Sequence, residues 1–222
     1  MKVCAFFCIF NFLKKLTTYL IFVCFVNTFA QKGEYFVKNY LPKDYNSHAN
    51  NFAICQDKEG LILSANSNGI LIFDGFNWQL VKSKDEEPVL ALYKSKDNTI
   101  YYSLEESNDF GTFSQKKRGK FVYNSWLNNV PKIQQPREAI KHNFENDGAM
   151  YFLSADKLVE QKNNEFKTYA PINLFNIRSL SIGKHQFFID LDNQIVVLEK
   201  GVLVPVKHTE SLAKHKAFFS YK

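Results

Sequence analysis

The chain is poor in the residues that most chemistries require. Its five histidines, His48, His142, His185, His208 and His215, are scattered without an H-x-x-x-H pair, which leaves no zinc site of ordinary spacing. Of four cysteines, Cys4, Cys8 and Cys24 fall within the first thirty residues and only Cys55 lies beyond them. Cys55 sits among apolar neighbours and reads as a structural thiol, not a nucleophile. Nine glycines and six prolines in 222 residues exclude collagen-like and low-complexity chains. Asp109-Phe110-Gly111 spells a kinase magnesium triplet, but no H-R-D or G-x-G-x-x-G accompanies it, so it reads as a turn entering a strand. No metal or organic cofactor is implied.

A leader accounts for much of the apolar and basic character. Lys2, Lys14 and Lys15 precede a short apolar stretch ending in Thr28-Phe29-Ala30, a small-x-small cleavage pattern. The apolar run after Tyr19 is far shorter than the roughly 20 residues that span a bilayer. Residues 1–30 are therefore expected to be a signal peptide cut after Ala30, exporting the rest to the periplasm. The leader carries three Lys and no acid, so its loss lowers the formal net charge from +6 to +3. That surplus gives no support for nucleic-acid binding.

Beyond a lead-in at 31–50, short apolar runs alternate with Asp, Asn and Gly, as strands and turns do. Strand, acidic turn and strand recur at Phe52–Ile62, Leu90–Tyr101, Ala139–Tyr151 and Ser179–Ile189. The turn landmarks Gly60, Asn98, Gly148 and Gln186 are spaced by 38, 50 and 38 residues. Each unit adds two further strand-like runs, giving the four strands per forty residues of one propeller blade. The expected fold is all-β, an incomplete propeller of four-stranded antiparallel blades at about 51–85, 88–130, 138–172 and 178–208. The start of a fifth is expected at 212–222, where the chain ends inside a candidate strand; on that reading the chain is a fragment.

Charged clusters have simple readings. Glu86-Glu87 and Glu105-Glu106 are adjacent carboxylates, and neighbours on a strand point to opposite faces, unlike the facing pair of a glycosidase. Lys116-Lys117-Arg118-Gly119-Lys120 reads as a solvated hairpin tip. Most aromatics of the first two blades are expected to pack between blades. A ligand, if received, is expected at loops aimed at one face: Asn66, Asn68, Glu105, Asn108 and Asp109.

Three stretches resemble a known family: Asn39–Tyr45 with His48 and Asn50-Asn51; Gln56–Ile62 with Asn68–Trp78; and Asn108–Gly111. The specific features are Asp57 and Gly60 in the first turn, Gly69, and the D-G-x-x-W ending formed by Asp74, Gly75 and Trp78. Together they resemble the periplasmic sensor of bacterial two-component regulator propeller proteins. The resemblance implies a non-enzymatic sensing module for an unknown small ligand, glycan-derived in one reading. In longer relatives it implies an inner-membrane anchor, a triple-tyrosine domain, and a histidine kinase or helix-turn-helix output. The competing expectations are a propeller-type glycan-active enzyme and a protein-binding scaffold.

Overall fold

The computed structural model describes residues 14–19, 37–116, 119–169, 174–192, 194–209 and 211, with the side chains of 175–178 left aside. The expected cleavage point after Ala30, Lys117-Arg118 and the expected fifth-blade start lie outside the described residues. The chain divides into two units, 1–39 and 40–222. In the first, residues 14–19 are helical.

The second unit is built from sixteen described strands in four antiparallel sheets. Blade 1 holds β1 (Asn51–Gln56), β2 (Ile62–Asn66), β3 (Gly69–Phe73) and β4 (Trp78–Lys82). Blade 2 holds β5 (Val89–Lys94), β6 (Ile100–Leu104), β7 (Phe110–Gln115) and β8 (Phe121–Ser125). Blade 3 holds β9 (His142–Asn146), β10 (Ala149–Leu153), β11 (Leu158–Lys162) and β12 (Glu165–Tyr169). Blade 4 holds β13 (Leu174–Ile182), β14 (His185–Asp190), β15 (Ile195–Glu199) and β16 (Val202–Pro205). Strands within each sheet pair in sequence order, a simple meander. The expected blades are thus present as an all-β propeller arc.

Strand chemistry follows position. β6 and β10 are buried at every residue and carry the near-continuous apolar run of strands covered on both faces. β1 alternates instead: Ala53 and Cys55 turn inward while Phe52, Ile54 and Gln56 are exposed.

Three apolar seams join the sheets face to face. Leu63, Ala65, Ile70 and Ile72 of blade 1 meet Leu92, Tyr102, Leu104 and Phe113 of blade 2. Tyr101 and Phe110 of blade 2 meet Met150, Phe152 and Val159 of blade 3. Phe144, Tyr151 and Leu153 of blade 3 meet Phe188, Val196 and Leu198 of blade 4. Each fully buried side chain of this size stabilises by about 1.5–3 kcal/mol. Polar bonds cross the seams as well: Tyr123 OH donates to Val81 O at 2.8 Å, and Ser103 Oγ to Asn143 Oδ1 at 2.8 Å.

Two boundaries differ from the sequence reading. β9 begins at His142, not Ala139, because residues 126–141 form a separate connection with turns at Leu127–Asn129 and Lys132–Gln134. Val130 and Ile140 pin that connection into the second seam, and its length accounts for the 50-residue spacing. β13 starts at Leu174, ahead of 178, and absorbs the difference through irregular pairing between Leu174, Asn176 and Ser179.

Candidate functional site

In a meander, the lead-in, the β2–β3 type loops and the links between blades all fall at one end of the sheets. The remaining hairpins fall at the other. Asp57, Gly60, Asp74 and Gly75 belong to the hairpin end and shape turns. Asp57 Oδ1 accepts the N–H groups of Glu59 at 2.8 Å and Leu61 at 2.9 Å. Asp74 Oδ1 accepts those of Phe76 at 2.8 Å and Asn77 at 2.6 Å, and these bonds, Asn77 first, hold its carboxyl below the usual range. Trp78 stacks on Phe73 at 4.6 Å and meets Tyr40 at 5.3 Å and Tyr45 at 5.5 Å. The D-G-x-x-W string therefore makes a turn and then anchors the lead-in.

The five candidate ligand residues lie at the linking end, and hydrogen bonds connect their loops. Asn66 is wholly buried. Its Nδ2 donates to His48 O at 2.7 Å, Asn50 O at 3.0 Å and Asn51 Oδ1 at 3.1 Å. Its Oδ1 accepts Ser47 Oγ at 2.7 Å and Asn68 N at 3.2 Å. Asn66 thus ties the lead-in to blade 1 and offers no surface to a ligand. Gly69 follows at φ 138, and a Cβ there would meet Val81 O at 2.3 Å, so only glycine fits.

From Asn68 the run crosses into blade 2. Asn68 O accepts Ser83 N at 3.4 Å, and Ser83 Oγ donates to Glu87 O at 2.5 Å. The Glu87 carboxylate, 4% exposed, accepts Glu106 N at 2.7 Å, Ser107 N at 2.8 Å and Ser107 Oγ at 2.6 Å. Glu105 N donates to Pro88 O at 3.0 Å. Asp109 takes Ser125 Oγ at 2.6 Å and Tyr102 OH at 3.2 Å. Burial first, and then the Asp109 charge, push the Tyr102 phenol well up. Asn108 takes the left-handed turn at φ 53. Glu105, Glu106 and Ser107 remain exposed, and Asn68, Asn108 and Asp109 are half-buried; these form the accessible surface of the site.

Glu87 escapes the sequence reading. As half of Glu86-Glu87 it resembles surface charge, and Glu86 does pair with Lys82 at 2.7 Å on the surface. A short 3-10 turn at Lys84–Glu86 ends at Glu87, and its carboxylate is directed to the Glu106 and Ser107 donors while Glu86 stays on the surface. Blade 3 repeats the device: Asp156 accepts Arg137 N at 3.2 Å, Glu138 N at 3.3 Å and Ser154 Oγ at 2.8 Å. In blades 1 to 3 a side-chain acceptor thus ties the incoming link to the β2–β3 type loop.

The remaining reactive side chains are packed away. Burial pushes the Cys55 thiol up to about 11. His142 on β9 shares a 2.5 Å hydrogen bond with Ser179 on β13, and burial lowers its imidazole to about 4. Gly111 of the D-F-G triplet lets β8 approach, since a Cβ there would lie 2.0 Å from Asn124 O. Among the described residues no group of three or more His, Cys, Asp or Glu could hold a metal. Nor is any described helix long and apolar enough to cross a membrane.

No family model matches the chain, and no curated protein matches it significantly. Solved structures do. Virginiamycin B lyase from Staphylococcus aureus aligns with a TM-score of 0.51 at 15% identity, over 71% of this chain and 56% of that one. A streptogramin B lyase gives 0.51 at 17%, over 72% and 56%. The extracellular domain of a B. thetaiotaomicron protein described as a hybrid two component system gives 0.51 at 11%, over 79% and 27%. The shared property is the fold. The chain spans a little over half the length of the lyases and about a quarter of that extracellular domain, and at these identities the likeness carries architecture alone.

Proposed function

We propose that the chain is an extracytoplasmic ligand-sensing propeller module of a bacterial two-component or transcriptional regulator. The observation that carries this reading is the blade architecture shared with the extracellular domain of a hybrid two component system over 79% of the chain. The family-like strings at Gln56–Ile62 and Asn68–Trp78 support it. So does the use of polar groups at the linking end: Asn66, Glu87, Asp109 and Asp156 fix loop geometry, as a binding surface requires. On this reading a small ligand, glycan-derived in the favoured case, rests on Asn68, Glu105, Ser107 and Asn108. The signal passes to output modules encoded with longer relatives, and a cleaved leader delivers the module to the periplasm.

The test is calorimetric titration of the exported chain with polysaccharide-derived oligosaccharides. Binding should weaken at least tenfold in Glu105→Ala and Asn68→Ala, with the circular dichroism spectrum unchanged. Binding that ignores both substitutions overturns the assignment of the site. The second reading is an enzyme, to which the fold shared with lyases lends support, and release of cleaved sugar during the same titration would favour its propeller-type glycan-active form.

A further inference from the structure

Gln186 serves as a turn landmark in the sequence, yet it stands within β14, buried at 2% exposure. It pairs with Ser181 across the β13–β14 hairpin, and Ser179 lies two residues before Ser181 on the same face. Ser181 Oγ donates to Gln186 Oε1 at 2.5 Å, and Gln186 Nε2 donates to Ser179 Oγ. Ser179 Oγ in turn meets His142 Nε2 of blade 3 at 2.5 Å. Four side chains thus form one chain of hydrogen bonds. It runs from the exposed Ser181, through blade 4, to a half-buried imidazole across the third seam. Phe144, stacked on His142 at 5.6 Å, and Phe188, opposite Ser179, flank it with apolar surface.

The chain has a direction. Gln186 Nε2 gives its hydrogen to Ser179 Oγ, so the one hydrogen of Ser179 is left for His142 Nε2. The imidazole is then neutral, with its proton on Nδ1. Burial favours that form by lowering the imidazole to about 4. A proton taken from water at Nε2 turns that nitrogen into a donor. Ser179 then accepts from it and turns its own O–H towards Gln186, whose amide rotates half a turn to present Oε1. Gln186 Nε2 now donates to Ser181 Oγ, and the Ser181 hydrogen goes to water, which reaches this exposed residue. Every group keeps a partner in both arrangements.

We infer that the joint between blades 3 and 4 holds a pH-sensitive switch, in which the hydrogen-bond chain from His142 to Ser181 runs one way with the imidazole neutral and the other way with it protonated. β13 pairs irregularly just ahead of Ser179, so no regular ladder locks the strand where the chain is attached. The titratable groups on the packed elements are engaged elsewhere. On β9, Lys141 at its entry is exposed, and Glu145 accepts Lys96 N at 2.9 Å. Tyr151 of β10 stacks on Phe144 at 5.1 Å. On β14, His185 lies beside Phe187 on the opposite face, and Asp190 Oδ1 accepts Asp192 N and Gln194 N. From β5 the Tyr93 hydroxyl meets the Glu145 backbone and Lys94 acts on Cys55, while Tyr102 of β6 bonds Asp109. The side chain of Arg178, next to Ser179, lies outside the described ones.

Nuclear magnetic resonance of the isotope-labelled chain tests the inference. At neutral pH His142 should show the Nδ1–H tautomer. As the pH falls, the Gln186 side-chain amide and the Ser181 backbone amide should shift with the same midpoint as the His142 ring. His142→Gln should abolish both shifts with β-sheet circular dichroism unchanged. An Nε2–H tautomer at neutral pH, a Gln186 amide that ignores the His142 titration, or shifts that survive His142→Gln overturn it. So does unfolding of the wild-type chain before the imidazole titrates, a result that needs no variant.

Discussion

Removing the Glu87 carboxylate should loosen the linking end of blade 2 while sparing the blades themselves. The carboxylate accepts three hydrogen bonds, from Glu106 N at 2.7 Å, Ser107 N at 2.8 Å and Ser107 Oγ at 2.6 Å. A bond to a charged acceptor contributes about 1.5–3 kcal/mol when its partner has no replacement. Glu106 and Ser107 are exposed, so water can reach their freed donors and the loss per bond falls to about 1 kcal/mol. Glu87→Ala should therefore cost about 3 kcal/mol in urea unfolding, or about 10 °C in Tm for a chain of this size. Glu87→Gln keeps one acceptor oxygen and should cost about half as much. Ser107→Ala should cost about 1 kcal/mol, and a double-mutant cycle with Glu87→Ala should return a coupling of similar size. Glu87→Ala within about 0.5 kcal/mol of wild type, the ordinary range for surface changes, would refute the account of this residue as a structural acceptor.

Two further outcomes follow from single contacts. Gly111→Ala places a Cβ 2.0 Å from Asn124 O, and since backbone cannot swing aside, the change should lower stability by about 2–3 kcal/mol in urea. His142 sits at about 4 in the folded chain against about 6.5 when unfolded, so the unfolded state takes the proton first. Stability should be constant above pH 6.5 and decline from there towards pH 4, by up to about 3 kcal/mol. His142→Gln should flatten that decline, and an unaltered pH profile in the variant would remove His142 as its source.

The fold is legible in the sequence because every blade uses local signals. The turn at Asp147-Gly148, with φ 48 and 71, and the Asp57 turn sit where acidic and glycine residues interrupt apolar runs. Strands such as β10 are short apolar stretches bounded by such turns. Blade edges are less legible where long-range packing decides. Ile140 looks like the start of a strand, yet it is drawn into the second seam as part of a connection, and β9 opens two residues later. The loop location of Asn68, Glu105, Asn108 and Asp109 is legible as well, whereas Asn66 is the last residue of β2. Their division of labour is not legible, because it depends on backbone N–H groups brought close by neighbouring blades. Asn66 and Asn68 share a tripeptide, yet one is wholly buried and the other reaches the surface.

That division bears on how a bound molecule could be felt at a distance. The bonds from Asn66 through Asn68, Ser83 and Glu87 to Ser107 run continuously from the lead-in, across the first link, into the second blade. The exposed part, at Glu105 to Ser107, is the part Glu87 holds. A ligand that changed the spacing of those donors would have to lengthen bonds to Glu87 or draw Glu87 and its link along with it. The link begins at Ser83, which is bonded to the blade 1 loop. Ligand occupancy and the relative placement of blades 1 and 2 are then coupled to the extent that the ligand prefers one spacing over another. On the proposed sensing reading, a surface loop without such an inward acceptor would adjust locally and report nothing, and the buried Glu87 carboxylate would be the route by which binding becomes a change in blade geometry.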